Sequence, residues 1–413
     1  MAQDSIWAAT DCSAIASSLS NSVFLPIAGG LPESATEIDK TITSGVGGTI
    51  SKLAVFISVN ACTVANLVRV RKNGANGNCS VSITALTTGA FIDNSNSDTV
   101  AVDDELCLEF TTATTGLNTL TMAYLLFTSA DNNTYQCFNA MDPGGTAFSS
   151  TTNSFFVPNS SVFNSSTTED SNEISFKHAV TISRLHVYIP TNTRNGQYDL
   201  DIRKNNADGS GSIAVASSTT GYFEDTSNTD SYAVDDEGAI EQDMAGTTGS
   251  VTVMQMGYFL TSNDGKFDLV TGMQNVPPFN SATTYFVPVT GGTTAPITAN
   301  EANIALTSPI DFTWSNLKCY VQASIDVETL VRSRVNLANG NQLLTITATT
   351  TGYFEDTSNT DAVTAGDEIS YTVIVGKDVG DSLAFKNISS MGFTSAPPAA
   401  GGTPLLMLMG VGT

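Results

Sequence analysis

Apolar and polar residues alternate along this chain in short runs, and Gly, Asn, Asp or Pro interrupts each run. SKLAVFISV at 51–59, VSITAL at 81–86 and SRLHVYIP at 183–190 place apolar side chains at every second position or close to it. That period of two marks strands with one buried and one wet face. No segment holds the 3.6-residue period long enough for a useful helix. The pattern therefore predicts an all-β protein.

The runs also recur in order. An aromatic strand before Pro comes first, as VFLP at 23–26, FFVP at 155–158 and YFVP at 285–288. The strand SKLAVFISV returns as SRLHVYIP and as SNLKCYVQ at 315–322. A basic strand ending in Asn follows, as RVRKN at 69–73, LDIRKN at 200–205 and VRSRVN at 331–336. An acidic turn then opens another strand: VDDELCLEF at 102–110, VDDEGAIEQ at 234–242 and AGDEISYTV at 365–373. YLLFTS, YFLTS and MGFTS close the series, each with one further short strand, YQCFNA, KFDLVTG or PLLMLMG. The period is about 131 residues, too long for a solenoid and right for a domain. About eight antiparallel strands per repeat predict three tandem two-sheet sandwiches of jelly-roll type. The divisions expected are an N-terminal extension at 1–19 and repeats at 20–146, 147–276 and 277–413. The apolar C-terminus reads as the closing strand of the third repeat. Linkers near 141–153 and 274–283 are short and rich in Pro, Gly, Ser and Asn. They permit an extended rod or a cluster about a pseudo-threefold axis, and their shortness favours the cluster.

One stretch is repeated letter for letter. TTGYFEDTSNTD runs from Thr219 to Asp230 and again from Thr350 to Asp361, and TTGAFIDNSNSD runs from Thr87 to Asp98. The glycine suits a positive φ or a close backbone approach. Phe91, Phe223 and Phe354 read as apolar plugs. The Asp, Ser and Asn residues can bond backbone N–H groups two residues on, which holds a loop without regular structure. The same oxygens suggest calcium. Asp93, Ser95 and Asp98, Asp225, Ser227 and Asp230, and Asp356, Ser358 and Asp361 are the candidate ligands, with nearby Asp104, Asp236 and Asp367 and Glu105, Glu237 and Glu368 as added carboxylates. The EF-hand glycine and closing glutamate are missing. A third use for the leading Asp is an ion pair with Arg71, Arg203 or Arg334, which recur in register. Tyr222 and Tyr353, replaced by Ala90 in the first copy, suit a covered interface or a sugar-stacking platform.

Composition narrows the function. The net charge is −24, with only 14% charged residues. Such a surface repels nucleic acid and anionic membranes, because a duplex binds cations that displace its counterions. The basic residues sit at repeat-equivalent places, such as Arg69–Lys72, Arg203–Lys204 and Arg332–Arg334, which fits local ion pairs and not a basic patch. No stretch approaches the roughly 20 apolar residues of a membrane helix, and the N-terminus lacks the cationic start of a secretory signal. The six cysteines do not recur between repeats, unlike a copied disulfide framework. They read as free thiols of a protein made in a reducing cytoplasm, with Cys62–Cys79 or Cys107–Cys137 as the bridges open to them.

Catalytic chemistry is thin. The two histidines, His178 and His186, fall in one repeat and read as strand residues flanking a turn. Asp103–Asp104 and Asp235–Asp236 are adjacent, and on a strand adjacent residues face opposite ways, which makes a carboxylate dyad unfavourable. No nucleophile elbow, phosphate loop or zinc spacing is present. No enzyme is expected, and no cofactor beyond the calcium candidate.

The Asn turn after a basic strand, the V-x-I strand, the TTG-x-F-x-D-x-S-N loop and the AGDEISYTV segment together resemble β-sandwich modules of tailed-bacteriophage structural proteins. Those modules occur in head-decoration, collar and tail-fibre proteins. The AGDE form stands only at 365–368; the other two repeats have VDDE. The resemblance implies a non-enzymatic virion component, made in the host cytoplasm. Its partners would be the major capsid protein, other virion proteins or neighbouring copies, as a homo-oligomer or a single-chain pseudo-trimer. The alternative is an extracellular adhesin or carbohydrate-binding protein stabilised by calcium. It requires export and an aromatic platform in every repeat, and Ala90 breaks that platform.

Overall fold

The computed structural model describes residues 2–10, 22–30, 33–112, 116–149, 152–157, 159, 165–244, 246, 248–273, 284–293, 300–323, 326–376 and 383–394. Strands dominate them, and the helical elements described are three short 3-10 turns, Glu37–Lys40, Glu169–Ser171 and Glu301–Asn303. The protein is all-β, as its alternation predicts.

Eight principal strands build the first unit: Asp4–Thr10, Ser22–Leu25, Gly48–Asn60, Asn66–Lys72, Ala75–Ile83, Gly89–Ile92 continued by Ser97–Val100, Glu105–Thr111 and Asn118–Ser129. Counted in chain order, one sheet runs first–eighth–third–sixth and the other second–seventh–fourth–fifth. These principal strands pair antiparallel. The order is that of a jelly roll. It recurs in the second unit, from Thr134–Phe148 to Val251–Ser262, and in the third, from Lys266–Met273 to Ala384–Phe393.

The frame of the repeat differs from the one expected. Asp4–Thr10, assigned by sequence to an extension outside the repeat, pairs with the eighth strand of the first unit from Asp4↔Thr128 to Thr10↔Met122. Thr134–Phe148, assigned to the close of the first repeat, pairs with Val251–Ser262 of the second. Lys266–Met273 likewise pairs with Ala384–Phe393 of the third. Each unit thus begins with the strand that seemed to end its predecessor. The reason is physical: a strand's partner is chosen by the sheet that can bury its apolar face, and nothing in a linear repeat marks that choice. PLLMLMG, the strand expected to close the third repeat, lies outside the described residues.

Alternation places the cores. Leu25, Ile50, Val68, Leu108 and Phe127 belong to the first, Phe156, Ile182, Leu200 and Ile240 to the second, and Leu317, Val331, Tyr371 and Ile388 to the third. Each reaches past its own unit. Phe259 of the second unit packs with the first core, and Tyr124 and Met122 of the first pack with the third. At about 25 cal/mol per Å² of buried apolar surface, such continuity favours units packed together over units held only by linkers.

Candidate functional site

The repeated string is a clamp. Gly89, Gly221 and Gly352 take φ values of 113, 122 and 107°, the region that only glycine enters readily. Phe91, Phe223 and Phe354 then pack half-buried against the three cores. The carboxylate of Asp225 accepts from the amides of Ser212, Ser227 and Asn228 at 3.0–3.1 Å and from Asn228 Nδ2 at 2.9 Å. Asp93 and Asp356 do the same with Ser80, Ser95 and Asn96, and with Leu343, Ser358 and Asn359. Burial alone would raise these three carboxyls, but the surrounding N–H donors together hold them below the usual carboxylate range.

The Asp that ends the string is clamped too. Asp98 accepts from the amides of Asn78 and Cys79, and Asp230 from those of Ser210 and Gly211. Asp361 accepts from the amide of Asn341 and from Ser333 Oγ and Gln342 Nε2. A Cβ on Gly77, Gly209 or Gly340 would stand 2.6–2.8 Å from these carboxylates, so the recurring ANG, ADG and ANG tripeptides are also explained. The proposed calcium ligands therefore face the positive ends of N–H dipoles, an anion's environment and not a cation's. Ser95, Ser227 and Ser358 contribute backbone amides to these contacts. Among the described residues no group of three His, Cys, Asp or Glu side chains could hold a metal.

The in-register arginines do not pair with that Asp. Arg71, Arg203 and Arg334 instead grip Glu37, Glu169 and Glu301 of the 3-10 turns, each through Nε and Nη2 at 2.7–3.1 Å. The fork matches a carboxylate in plane. The three glutamates recur at the repeat spacing, a signal legible in the sequence but not used. Asp103 and Asp235 occupy a turn with φ of 69 and 71°, not a strand, so opposite facing does not apply to them.

The forks anchor the segments through which the units meet. Beyond Glu37, Gln255 Nε2 of the second unit donates to Thr41 O at 2.6 Å. Beyond Glu169, Asn387 Nδ2 of the third unit donates to Glu173 O at 3.0 Å. In the turn headed by Glu301, Asn303 O accepts from Thr121 Oγ1 of the first unit at 2.9 Å. First meets second, second meets third and third meets first: the contacts close a cycle. First strands add an inner set. Trp7 Nε1 donates to Tyr135 O at 2.9 Å, Gln136 exchanges two hydrogen bonds with the backbone of Asp268, and Thr10 Oγ1 donates to Thr290 O at 3.2 Å.

Tyr222 and Tyr353 lie in these contacts. Tyr353 OH donates to Glu173 O at 3.3 Å, and Lys318 Nζ sits 4.0 Å above its ring. Tyr222 stacks on His186 of its own unit and lies beside Thr43 of the first. The histidines are buried. His186 is pushed down to about 4 by burial. His178, in a bend before its strand and not within it, has Nε2 3.0 Å from Asp268 Oδ2 and Nδ1 3.5 Å from Asp264 Oδ1. Burial would lower His178, but the two carboxylates lift it to about 9. Asp268 belongs to the third unit and Asp264 to the turn that joins it to the second, so the triad is a seam between units with His178 buried in it. Cys79, Cys107, Cys137 and Cys319 are buried free thiols, and Cys62 is buried as well.

No protein-family model matches this chain, and no curated protein matches it.

Proposed function

We propose that this chain is a non-enzymatic structural protein of a tailed-phage virion, a decoration or other accessory component of head or tail, made in the host cytoplasm. The observation that carries the reading is the closed cycle of three jelly rolls joined through equivalent segments. A single polypeptide so arranged is the counterpart of a trimer, and its natural seat is a threefold or pseudo-threefold point of a shell formed by a major capsid protein or by further copies of the chain. The buried histidines and the clamped carboxylates add support, because neither leaves a titratable group free beside an open cleft. The sugar-platform alternative loses its aromatics, since Tyr222 lies against Thr43 of the first unit and Tyr353 against Glu173 of the second.

Electron microscopy of the purified chain and of particles carrying it tests the reading. A three-lobed particle seated at threefold positions of a shell is the expected result. A string of separated lobes would overturn the compact arrangement. Specific glycan capture or turnover on a hydrolase panel would overturn the structural role.

A further inference from the structure

The three contacts between units differ in how a cation is answered by carboxylates. In the contact between first and second units, Arg184 lies between Asp103, at 2.8 Å, and Glu224, at 3.0 Å. In the contact between second and third, Lys177 lies between Asp235 and Glu355, with the latter at 2.8 Å. A cation flanked by two carboxylates, one from each unit, thus recurs. The carboxylates come from equivalent places: Asp103 and Asp235 from the acidic turn, Glu224 and Glu355 from the repeated string. In the contact between third and first units those places hold Gly366 and Ile92. The cation remains. Lys52 is the counterpart of Arg184, and its described hydrogen-bond partner is the carbonyl of Pro309.

Lys52 is also aimed. Lys52, Arg184 and Asn316 hold φ values of 52, 53 and 55° beside register shifts in their strands. Positive φ is costly for residues with long side chains, and bulges of this kind re-aim a side chain. Arg184 is turned in this way onto its two carboxylates. Lys52 is turned onto a cavity of about 190 Å³ lined by Ile92, Asn94, Tyr124, Pro309 and Gly366 among others. Drug-sized sites have about 300–1,000 Å³, so this one admits only a small group.

We propose that this cavity binds a carboxylate, supplied by a small aliphatic acid or by one acidic side chain of a partner segment. Its charge would meet Lys52 where Asp103 and Glu224 meet Arg184, and its short apolar body would lie against Ile92 and Tyr124. Binding would tighten the junction between the two chain-distant units. The inference rests on the cycle of contacts and does not depend on the virion reading.

The test uses the full chain at fixed ionic strength, with sodium butyrate as the free acid and a capped Gly-Glu-Gly peptide as the side-chain source. Butyramide and the Gln peptide are the uncharged controls, and sodium chloride replaces the acid salt in the blank. A saturable rise of the melting midpoint and a saturable calorimetric signal are expected with one or both acids and with neither control. A response to the peptide alone assigns the partner source, and a response to butyrate assigns the free acid. Lys52→Met should abolish the response. Ile92→Glu should raise the midpoint without ligand and also abolish the response, because it restores the carboxylate that Glu224 provides elsewhere; this variant keeps the test decisive should Lys52→Met fold poorly. Absence of saturation with both acids, or an equal response in Ile92→Glu, would overturn the proposal.

Discussion

Replacing Asp225 by Asn separates a hydrogen-bonded clamp from a calcium site. The wild-type carboxylate accepts four bonds: three from amides at 3.0–3.1 Å and one from Asn228 Nδ2 at 2.9 Å. Asn keeps one accepting oxygen and turns an NH2 group toward the donors that faced the other. The amide of Ser212 and Asn228 Nδ2 both address Oδ2, so those two bonds fail whichever useful rotamer keeps Oδ1 in place. Hydrogen bonds to a charged group contribute about 1.5–3 kcal/mol each, and a buried donor left unmade costs about 1–3 kcal/mol. Relaxation and water recover part of this. We expect a net loss of about 3 kcal/mol, or roughly 6–12 °C in the melting midpoint at about 2–4 °C per kcal/mol.

The assay is calorimetric melting at neutral pH and in acid, with calcium and with chelator. The folded carboxyl lies below its unfolded value, so its stabilisation is present above the unfolded pKa and is lost as pH falls through the folded one. The gap between wild type and Asp225→Asn should therefore narrow in acid. Neither curve should move with calcium. A variant that melts with wild type at neutral pH would refute the clamp, and a wild-type midpoint that climbs with calcium would restore the metal. Asp93→Asn and Asp356→Asn should behave alike, since their donors are equivalent.

Three further outcomes follow from the same geometry. Arg203→Met should cost about 3–5 kcal/mol by denaturant titration, because it leaves Glu169 and Glu241 buried without their cation. His178 has a folded pKa raised to about 9, so its stabilisation is complete below about 6.5 and lost as pH rises through 9; melting from pH 6 to 10 should fall steadily in wild type and flatten in His178→Gln. Gly221→Ala should lower stability by about 1–3 kcal/mol through backbone strain alone, since φ is 122° and an added Cβ meets nothing within 4 Å; an unchanged midpoint would remove the conformational argument.

The strand pattern was legible because burial on one sheet face imposes a period of two on the residues themselves. The string was legible because its hydrogen bonds close within about twenty residues and demand particular side chains, such as Asp230 for the amides of Ser210 and Gly211. What escaped depends on distance. Arg203 could choose between Asp225 and Glu169 as far as spacing goes, and only the fold brings Glu169 to its guanidinium. Asp4–Thr10 shares no obvious letters with TYQCFNA or KFDLVTG, because a strand at the inner contacts answers to different neighbours in each unit. Trp7 meets Phe259, Gln136 meets the backbone of Asp268, and Asp268 meets His178.

That contrast explains why the clamp residues are kept in all three copies while the contacts diverge. The clamp is closed within its own unit, so all three copies face the same test and the same residues pass it. The contacts are closed between units. A homotrimer must solve its three contacts with one surface, whereas a fused chain can solve each separately. The residues record this freedom: Arg184 with two carboxylates at one contact, Lys177 with two at the next, and Lys52 beside Ile92 and Gly366 at the third. The first two join units consecutive in the chain. The third joins units that no single linker connects, and it is the one whose charge is left to be answered from outside. An assembly held shut by covalent linkage at two seams can tolerate a weaker third, and a seam of that kind is where a ligand or neighbour gains most by binding.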